Sequence, residues 1–341
     1  MNEYLEILEN WLAAKKSIAI GRVVKTWGSS PRPVGSIMLV NQDGKMAGSL
    51  SGGCVEGAVV KKSMEVVEGE NSLRLAYGIS DEEAWSVGLS CGGNIQVFVE
   101  KMDFGPDSVW SRLKANIERN RSCILISSIK DGGSDTTLIE EDGQLVGPAI
   151  PDELISEAKQ AYSERTHKTV SIAEQDYFIQ LFPRKAQLLI IGAAHITVDL
   201  VDLANQFGFE TIVIDPRGYF AENTTFSTKP DQLHQSYPSE VLGDYALDAY
   251  TFAAILSHDP KIDDNALEIL LPSQTAYIGA LGSKKTHAKR TNRLLEKGIS
   301  QELIDQIRAP IGVNINARSA REIALAIMAQ IIEVKNESLV R

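Results

Sequence analysis

The spacing of hydrophobic and polar positions divides the chain into two stretches with different rhythms. In the first, residues 4–16 put Leu5, Leu8 and Leu12 on one face with Ile7 beside them, which predicts an amphipathic helix. Ile18–Val24 and Ser36–Val40 read as strands, the second followed by a turn at Asn41-Gln42-Asp43-Gly44 before Lys45. A helix is expected over 54–68, just beyond a glycine-rich turn, and a strand over Asn94–Glu100. The same pattern predicts a helix over 107–119, a strand over Cys123–Ile129, a polar turn over 130–135, a helix over 151–161 and a strand over 176–182. Residues 1–183 thus read as a mixed α+β domain in which 106–183 continues the N-terminal layer. No internal repeat stands out.

The rhythm changes after Pro183-Arg184-Lys185. Gln187–Ile191 is a continuous apolar run ending at Gly192, followed by a helix over 197–206 and a strand over Thr211–Asp215. Further strands are expected at Thr251–Leu256 and Ala276–Gly279, with helices over 263–271 and 286–296. Strands that alternate with helices imply a parallel sheet covered on both faces. The fold class is therefore α/β: an N-terminal mixed α+β domain, 1–183, followed by a Rossmann-like parallel α/β domain, 184–341.

Composition narrows the function. The 341 residues are enough for two cores. A formal net charge of -11 argues against nonspecific binding to nucleic acid or to an anionic membrane. No apolar run approaches the roughly 20 residues that span a bilayer, and the acidic start Met1–Glu6 lacks the features of a secretory signal. A cytoplasmic location is the expectation. Three cysteines fit a reducing compartment better than a disulfide scaffold.

Two of those cysteines sit in glycine turns, Gly52-Gly53-Cys54-Val55-Glu56-Gly57 and Cys91-Gly92-Gly93. Glycine permits tight paths and close approach of a ligand, so Cys54 and Cys91 read as thiols presented to something small. They could catalyse, carry sulfur or hold a cofactor. If Cys54 opens a helix, backbone amides favour its thiolate, and Glu56 could orient a ligand or protonate it. The loop Lys25–Ser36 adds Arg32, whose planar guanidinium suits an oxyanion; the alternative is a structural turn with the arginine in solvent. Cys123, in an apolar strand, reads as a small buried hydrophobe. No His/Cys/Asp cluster has metal-ligand spacing.

In the second domain the turn Gly192-Ala193-Ala194-His195-Ile196-Thr197 has alanine and threonine where the dinucleotide fingerprint has glycine. Asp215, at the end of the next strand, could bind a ribose. His195 is either a proton carrier at the ligand rim or a filler of the strand–helix corner; His258-Asp259 is either part of the same crevice or an Asx turn. In Gly279-Ala280-Leu281-Gly282-Ser283-Lys284, Gly279 and Gly282 could expose amides, Ser283 donate and Lys284 neutralise an anion at a helix start. The bland reading is a well-capped helix. An NAD(P)-dependent oxidoreductase is the alternative function these features permit.

Taken in order, Gly28-Ser29-Ser30-Pro31-Arg32, Gly52–Gly57, Cys91–Ile95, Gly192–Ile196, Asp215-Pro216-Arg217, His258-Asp259, Tyr277–Lys284, Pro310-Ile311-Gly312 and Glu322-Ile323-Ala324 resemble the XdhC/CoxI family over nearly the full chain. Ala194 stands where that family usually has a second glycine, and Asn314 and Asn316 where it has aspartate and glycine. The resemblance implies an accessory protein that binds molybdenum cofactor (molybdopterin), assists its sulfuration and inserts it into a xanthine dehydrogenase-type apo-enzyme. It implies Cys54 and Cys91 as the leading thiols. It makes Arg32, Gly52, Gly53, Gly92 and Gly93 candidates for the pterin phosphate or the molybdenum oxo groups. A nucleotide at the Rossmann-like domain, a cysteine desulfurase as sulfur donor and a homodimer are further expectations.

Overall fold

A computed structural model describes residues 1–28, 30, 32–53, 55–69, 71–78, 93–130, 132–133, 135–218 and 226–339. The chain divides into two compact units, Met1–Arg184 and Lys185–Arg341.

The first unit is built twice from one plan. A helix, α1 (Leu5–Ala13), precedes β1 (Ile18–Trp27), β2 (Ile37–Asn41) and β3 (Met46–Gly48). Helix α2 (Glu56–Glu68) follows, then β4 (Leu73–Tyr77) and β5 (Asn94–Met102). The same succession recurs as α3 (Val109–Glu118), β6 (Cys123–Ser128), β7 (Thr136–Glu140), β8 (Leu145–Val146), α4 (Asp152–Glu164), β9 (Lys168–Ile172) and β10 (Gln175–Phe182). Each half is a five-stranded antiparallel sheet of the same strand order, β3-β2-β1-β5-β4 and β8-β7-β6-β10-β9. Register makes the halves correspond residue by residue: Ile18 faces Asn41 and Met102, and Cys123 faces Glu140 and Phe182. Even the bends agree. Gly48 and Gly147 both have positive φ, and a Cβ on either would collide with the carbonyl oxygen of Ile37 or Thr136, so only glycine fits. The repeat escaped the sequence because what recurs is the pairing pattern, not residue identity. The edge strands β3, β4, β8 and β9 are short or half-exposed and carry little periodic signal.

Strand alternation sends each sheet's side chains to two cores. Ile18, Ile20, Leu39, Leu125 and Leu138 meet Leu8, Trp110 and Leu113 between the sheets. Ala19, Val40, Val97 and Val99 pack under Val59 and Val66 of α2, while Ile124, Ile126 and Ile179 pack under Leu154, Ala158 and Ala161 of α4. One ion pair is sealed inside. Arg22, fully buried, bonds Glu100, and its Cζ lies 5.5–5.9 Å from the ring centroids of Phe98, Trp110 and Phe178. Ser127 and Thr136 of the second half donate to the same carboxylate at 3.3 and 3.1 Å.

The second unit is a parallel sheet in the order β13-β12-β11-β14-β15, from β11 (Gln187–Ile191), β12 (Glu210–Ile214), β13 (Gln232–His234), β14 (Thr251–Ile255) and β15 (Tyr277–Ala280). Helices α5 (His195–Gln206) and α10 (Ala320–Leu339) cover one face through Leu200, Val201, Ile327 and Ile331. Helices α7 (Pro260–Leu270) and α8 (Lys284–Glu296) cover the other through Ile262, Leu267 and Leu294. Burial on both faces explains why β11 and β14 are apolar without alternation. The short α6 (Pro238–Val241) and α9 (Gln301–Ile304) fill connections. Among the described residues no helix is long and apolar enough to cross a membrane.

Candidate functional site

In the first unit, strand register gathers the candidate loops at one end of the first sheet. Trp27 pairs with Asn94, Tyr77 with Ile95, and Met38 with Gly48. The C-terminal ends of β1, β3 and β4 and the N-terminal ends of β2 and β5 therefore share that end. Loops 28–36 and 49–55 leave from it, as do Gly78 and Gly93, which bound the Cys91 segment in sequence. Cys54, Cys91 and Gly92 themselves lie outside the described residues. Relative to its twin, the first half is longer at three main places. Residues 49–55 replace 148–151, residues 78–93 replace 173–174, and the hairpin from Ile18 to Asn41 replaces the shorter one from Cys123 to Glu140. The first two of these carry the glycine-framed cysteines and the third carries Arg32.

The 49–55 loop is organised by Glu56, the first residue of α2. Its Oε1 accepts from Ser49 Oγ at 2.8 Å and from the amides of Leu50, Ser51 and Gly52 at 2.8–3.0 Å. Its Oε2 accepts from Ser51 Oγ at 2.6 Å and the Gly53 amide at 2.9 Å. Ser51 Oγ in turn accepts from the Val55 amide. Leu50 and Val55, both buried, anchor the loop's two ends in the core under α2. Burial pushes the Glu56 carboxyl up, but these donors outweigh it and hold the group well below the usual carboxylate range. Glu56 is thus no proton donor at neutral pH, which corrects its expected catalytic role: it is a loop clamp. The amides of Gly52 and Gly53 are spent on it, so they do not bind an oxyanion either. Their glycine character has another cause. Both have positive φ, +82° and +124°, and among the described residues nothing lies within 4 Å of where a Cβ would stand.

Arg32 is exposed on loop 28–36, whose path is fixed by Ser30 Oγ donating to the Arg32 carbonyl at 2.8 Å. Gly93 is buried. Composition gave no reason to single out Trp27, yet it is 45% exposed at this same end, with Lys25 Nζ 5.0 Å from its ring centroid. A tryptophan two positions after Lys25 and directly before Gly28, at a strand end, was the available signal. Cys123 is buried, and burial pushes its thiol up to about 12.

The second unit's candidates meet at the C-terminal edge of the parallel sheet, where β11 and β14 diverge. Gly192 has φ +111°, and a Cβ there would lie 2.6 Å from Ser257 Cα. Thr197, fully buried, donates from Oγ1 to the Gly192 carbonyl at 2.6 Å. Asp215 is fully buried and accepts from the Ala193 amide at 2.8 Å and from Arg217 Nε and Nη2, both at 2.9 Å. Burial pushes its carboxyl up, but Arg217 and these amides hold it below the ordinary range. It braces the glycine turn and does not face a ribose. Gly279 is also a correction. It is buried, and a Cβ there would collide with Tyr277 Oη and lie 2.6 Å from Ile311, so it serves packing. Gly282 has φ +130° and leads into Ser283, the cap of α8, whose hydroxyl accepts from the Thr286 amide at 3.2 Å. His195 and Lys284 stand at the starts of α5 and α8, both exposed. Asp259 caps α7 by accepting from the Lys261 amide, in agreement with an Asx turn. Among the described residues no group of three His, Cys, Asp or Glu side chains could hold a metal ion.

A parallel nucleotide-type sheet joined in one chain to a glycine-loop α+β unit is a restricted combination, and the matches to known proteins agree with it. Residues 188–331 match the family model described as the XdhC Rossmann domain, and residues 11–78 match that of the XdhC and CoxI family, together more than half of the chain. The chain belongs to the XdhC and CoxI family. It is 28% identical over 346 residues to a probable xanthine dehydrogenase subunit of Bacillus subtilis (strain 168), covering 98% of both chains. It is 25% identical to the molybdenum cofactor insertion chaperone PaoD of Escherichia coli (strain K12), covering 95% of this chain and 85% of that one. A crystal structure from Bacillus halodurans, described as a xanthine dehydrogenase, aligns with a TM-score of 0.78 at 27% identity, over 98% of this chain and 96% of that one.

Proposed function

We propose that this protein binds molybdenum cofactor as cargo, supports its sulfuration and inserts it into a xanthine dehydrogenase-type apo-enzyme. The observation that carries the reading is the Glu56-clamped loop, uncovered among the described residues at Gly52 and Gly53, leaving the same sheet end as the Arg32 loop and the residues flanking Cys91. The likeness to PaoD along nearly the whole chain supports the same cargo. In this reading Cys54 and Cys91 supply soft sulfur ligands to the metal. Arg32 meets the phosphate or oxo groups, and Trp27 offers a planar face to the pterin. A cysteine desulfurase donates the sulfur, the protein works as a homodimer, and the cytoplasm is its location. Three cysteines in the whole chain are too few for even one four-cysteine iron–sulfur cluster, which favours an accessory role over stand-alone xanthine oxidation. The inward-facing Asp215 weighs against the nicotinamide alternative.

The test is anaerobic purification with cofactor, followed by metal and pterin quantification per chain. Near-stoichiometric cofactor in the native protein, lost together with activation of the apo-enzyme in Cys54→Ala/Cys91→Ala, is the expected result. Unchanged binding and activation in the double variant would overturn the thiol-centred reading. Saturable nicotinamide binding with substrate-dependent reduction would replace it with the oxidoreductase.

A further inference from the structure

A cavity of about 230 Å³ lies in the second unit, between the starts of α7 and α8. His258 lines it from the turn after β14 and Pro260 from the start of α7, Leu281 from the turn after β15, Lys285 and Thr286 from the first turn of α8, and Lys289 and Arg290 from its next turn. Arg293 and Asp263 complete it.

Its charge runs against that of the molecule. The chain carries a formal -11, yet four cationic side chains and a single carboxylate face this cavity. Arg293 is neutralised by Asp264, which accepts from its Nε and Nη2 at 2.6 and 2.9 Å. Lys285 and Lys289 are exposed and make no ion pair among the described residues. Arg290 is 2% exposed and only partly satisfied. Its Nη2 donates to Asp263 at 3.3 Å and to the Leu281 carbonyl at 2.9 Å. Its Nε and Nη1 are buried with no hydrogen-bond partner among the described residues. A buried guanidinium with two unpartnered nitrogens is costly unless something accepts from it. The amides of Lys284 and Lys285, in the first turn of the 13-residue α8, have no helical acceptor by construction, and the helix end adds positive potential.

We infer that the second unit binds a phosphate monoester in this cavity, with Lys285, Lys289 and the start of α8 holding the phosphate and Arg290 as the buried donor behind it. The volume exceeds that of one phosphate and leaves room for part of the esterified group. The site goes beyond the proposed cargo function and uses none of the residues in the first unit. Failure of either reading therefore leaves the other standing.

Calorimetric titration of the full-length protein with inorganic phosphate and with adenosine monophosphate, at matched ionic strength, tests it. The expected result is saturable binding of adenosine monophosphate at least as tight as that of inorganic phosphate. Lys285→Gln/Lys289→Gln should weaken it by about tenfold or more, and Lys297→Gln, whose lysine is paired with Glu268 outside the cavity, should leave it unchanged. Arg290→Gln should weaken it similarly where thermal unfolding shows a folded protein, and the exposed double-lysine variant carries the test if it does not. No saturable binding of either probe at millimolar concentration, or equal binding by all variants, overturns the site. Binding of inorganic phosphate with exclusion of the monoester overturns the ester assignment.

Discussion

Ser51 donates twice to Glu56, from its amide to Oε1 at 2.8 Å and from its hydroxyl to Oε2 at 2.6 Å. This two-point grip, reinforced by four neighbouring donors, turns a run of serine and glycine into a loop with a defined path. Hydrogen bonds to an ionised acceptor contribute more than neutral ones.

Glu56→Gln should therefore cost about 2–4 kcal/mol and lower cargo binding, read by denaturant titration and by cofactor content. The effect depends on pH with a definite sign. The folded carboxyl titrates below its unfolded counterpart, so its contribution is complete above the unfolded value of about 4.3 and fades as pH falls through the folded one. The gap between native protein and variant should narrow as the solution is acidified below that point; a constant gap would remove the charge from the explanation.

Gly48→Ala and Gly147→Ala should be damaging to a similar degree, about 2–4 kcal/mol each, because each new Cβ meets the same carbonyl oxygen of its own half. Gly52→Ala meets none of the described residues within 4 Å and should cost only the backbone term, about 1–2 kcal/mol. Midpoints of thermal unfolding for the three variants separate steric from conformational causes.

The pair inside the first unit gives a cycle. Glu100→Leu leaves the Arg22 guanidinium buried among three rings and should cost about 3–5 kcal/mol. Arg22→Met/Glu100→Leu should recover much of that loss. A double variant no more stable than the single one would show that the pair contributes net stability.

Thiol reactivity should sort the cysteines. With its thiol pushed up to about 12 by burial, Cys123 should resist alkylation in the native protein at about pH 8 and react only on unfolding. Peptide mass mapping after native labelling checks this.

Trp27→Ala should leave stability nearly unchanged, since the ring is 45% exposed, and weaken pterin retention by about 1 kcal/mol, read as cofactor content per chain. Unaltered retention would remove the stacking role.

The second unit was largely legible because its strands are buried on both faces, and long apolar runs such as Gln187–Ile191 stand out whatever follows them. The first unit was harder. Its helices and its interior strands, such as Ile18–Val24 and Cys123–Ile129, carry enough pattern to be read, but its edge strands do not; the pairing of Arg22 and Glu100 joins residues 78 positions apart. The site divided in the same way. Glycine and cysteine named the loops, but the partners that assign roles lay in tertiary structure. Glu56 and Asp215 looked like groups facing a ligand and are internal braces, because a carboxylate beside unsatisfied amides is captured by them first. The cationic cavity was half seen: the α8 start was marked, while Lys289 and Arg290, one turn further along, were not.

The doubled plan of the first unit means that the chain contains its own untreated control. The later half reaches the same sheet and the same 13-residue helix with brief connections, so the scaffold does not need the longer ones. The cysteine-bearing segments are additions to a frame that closes without them in the later half.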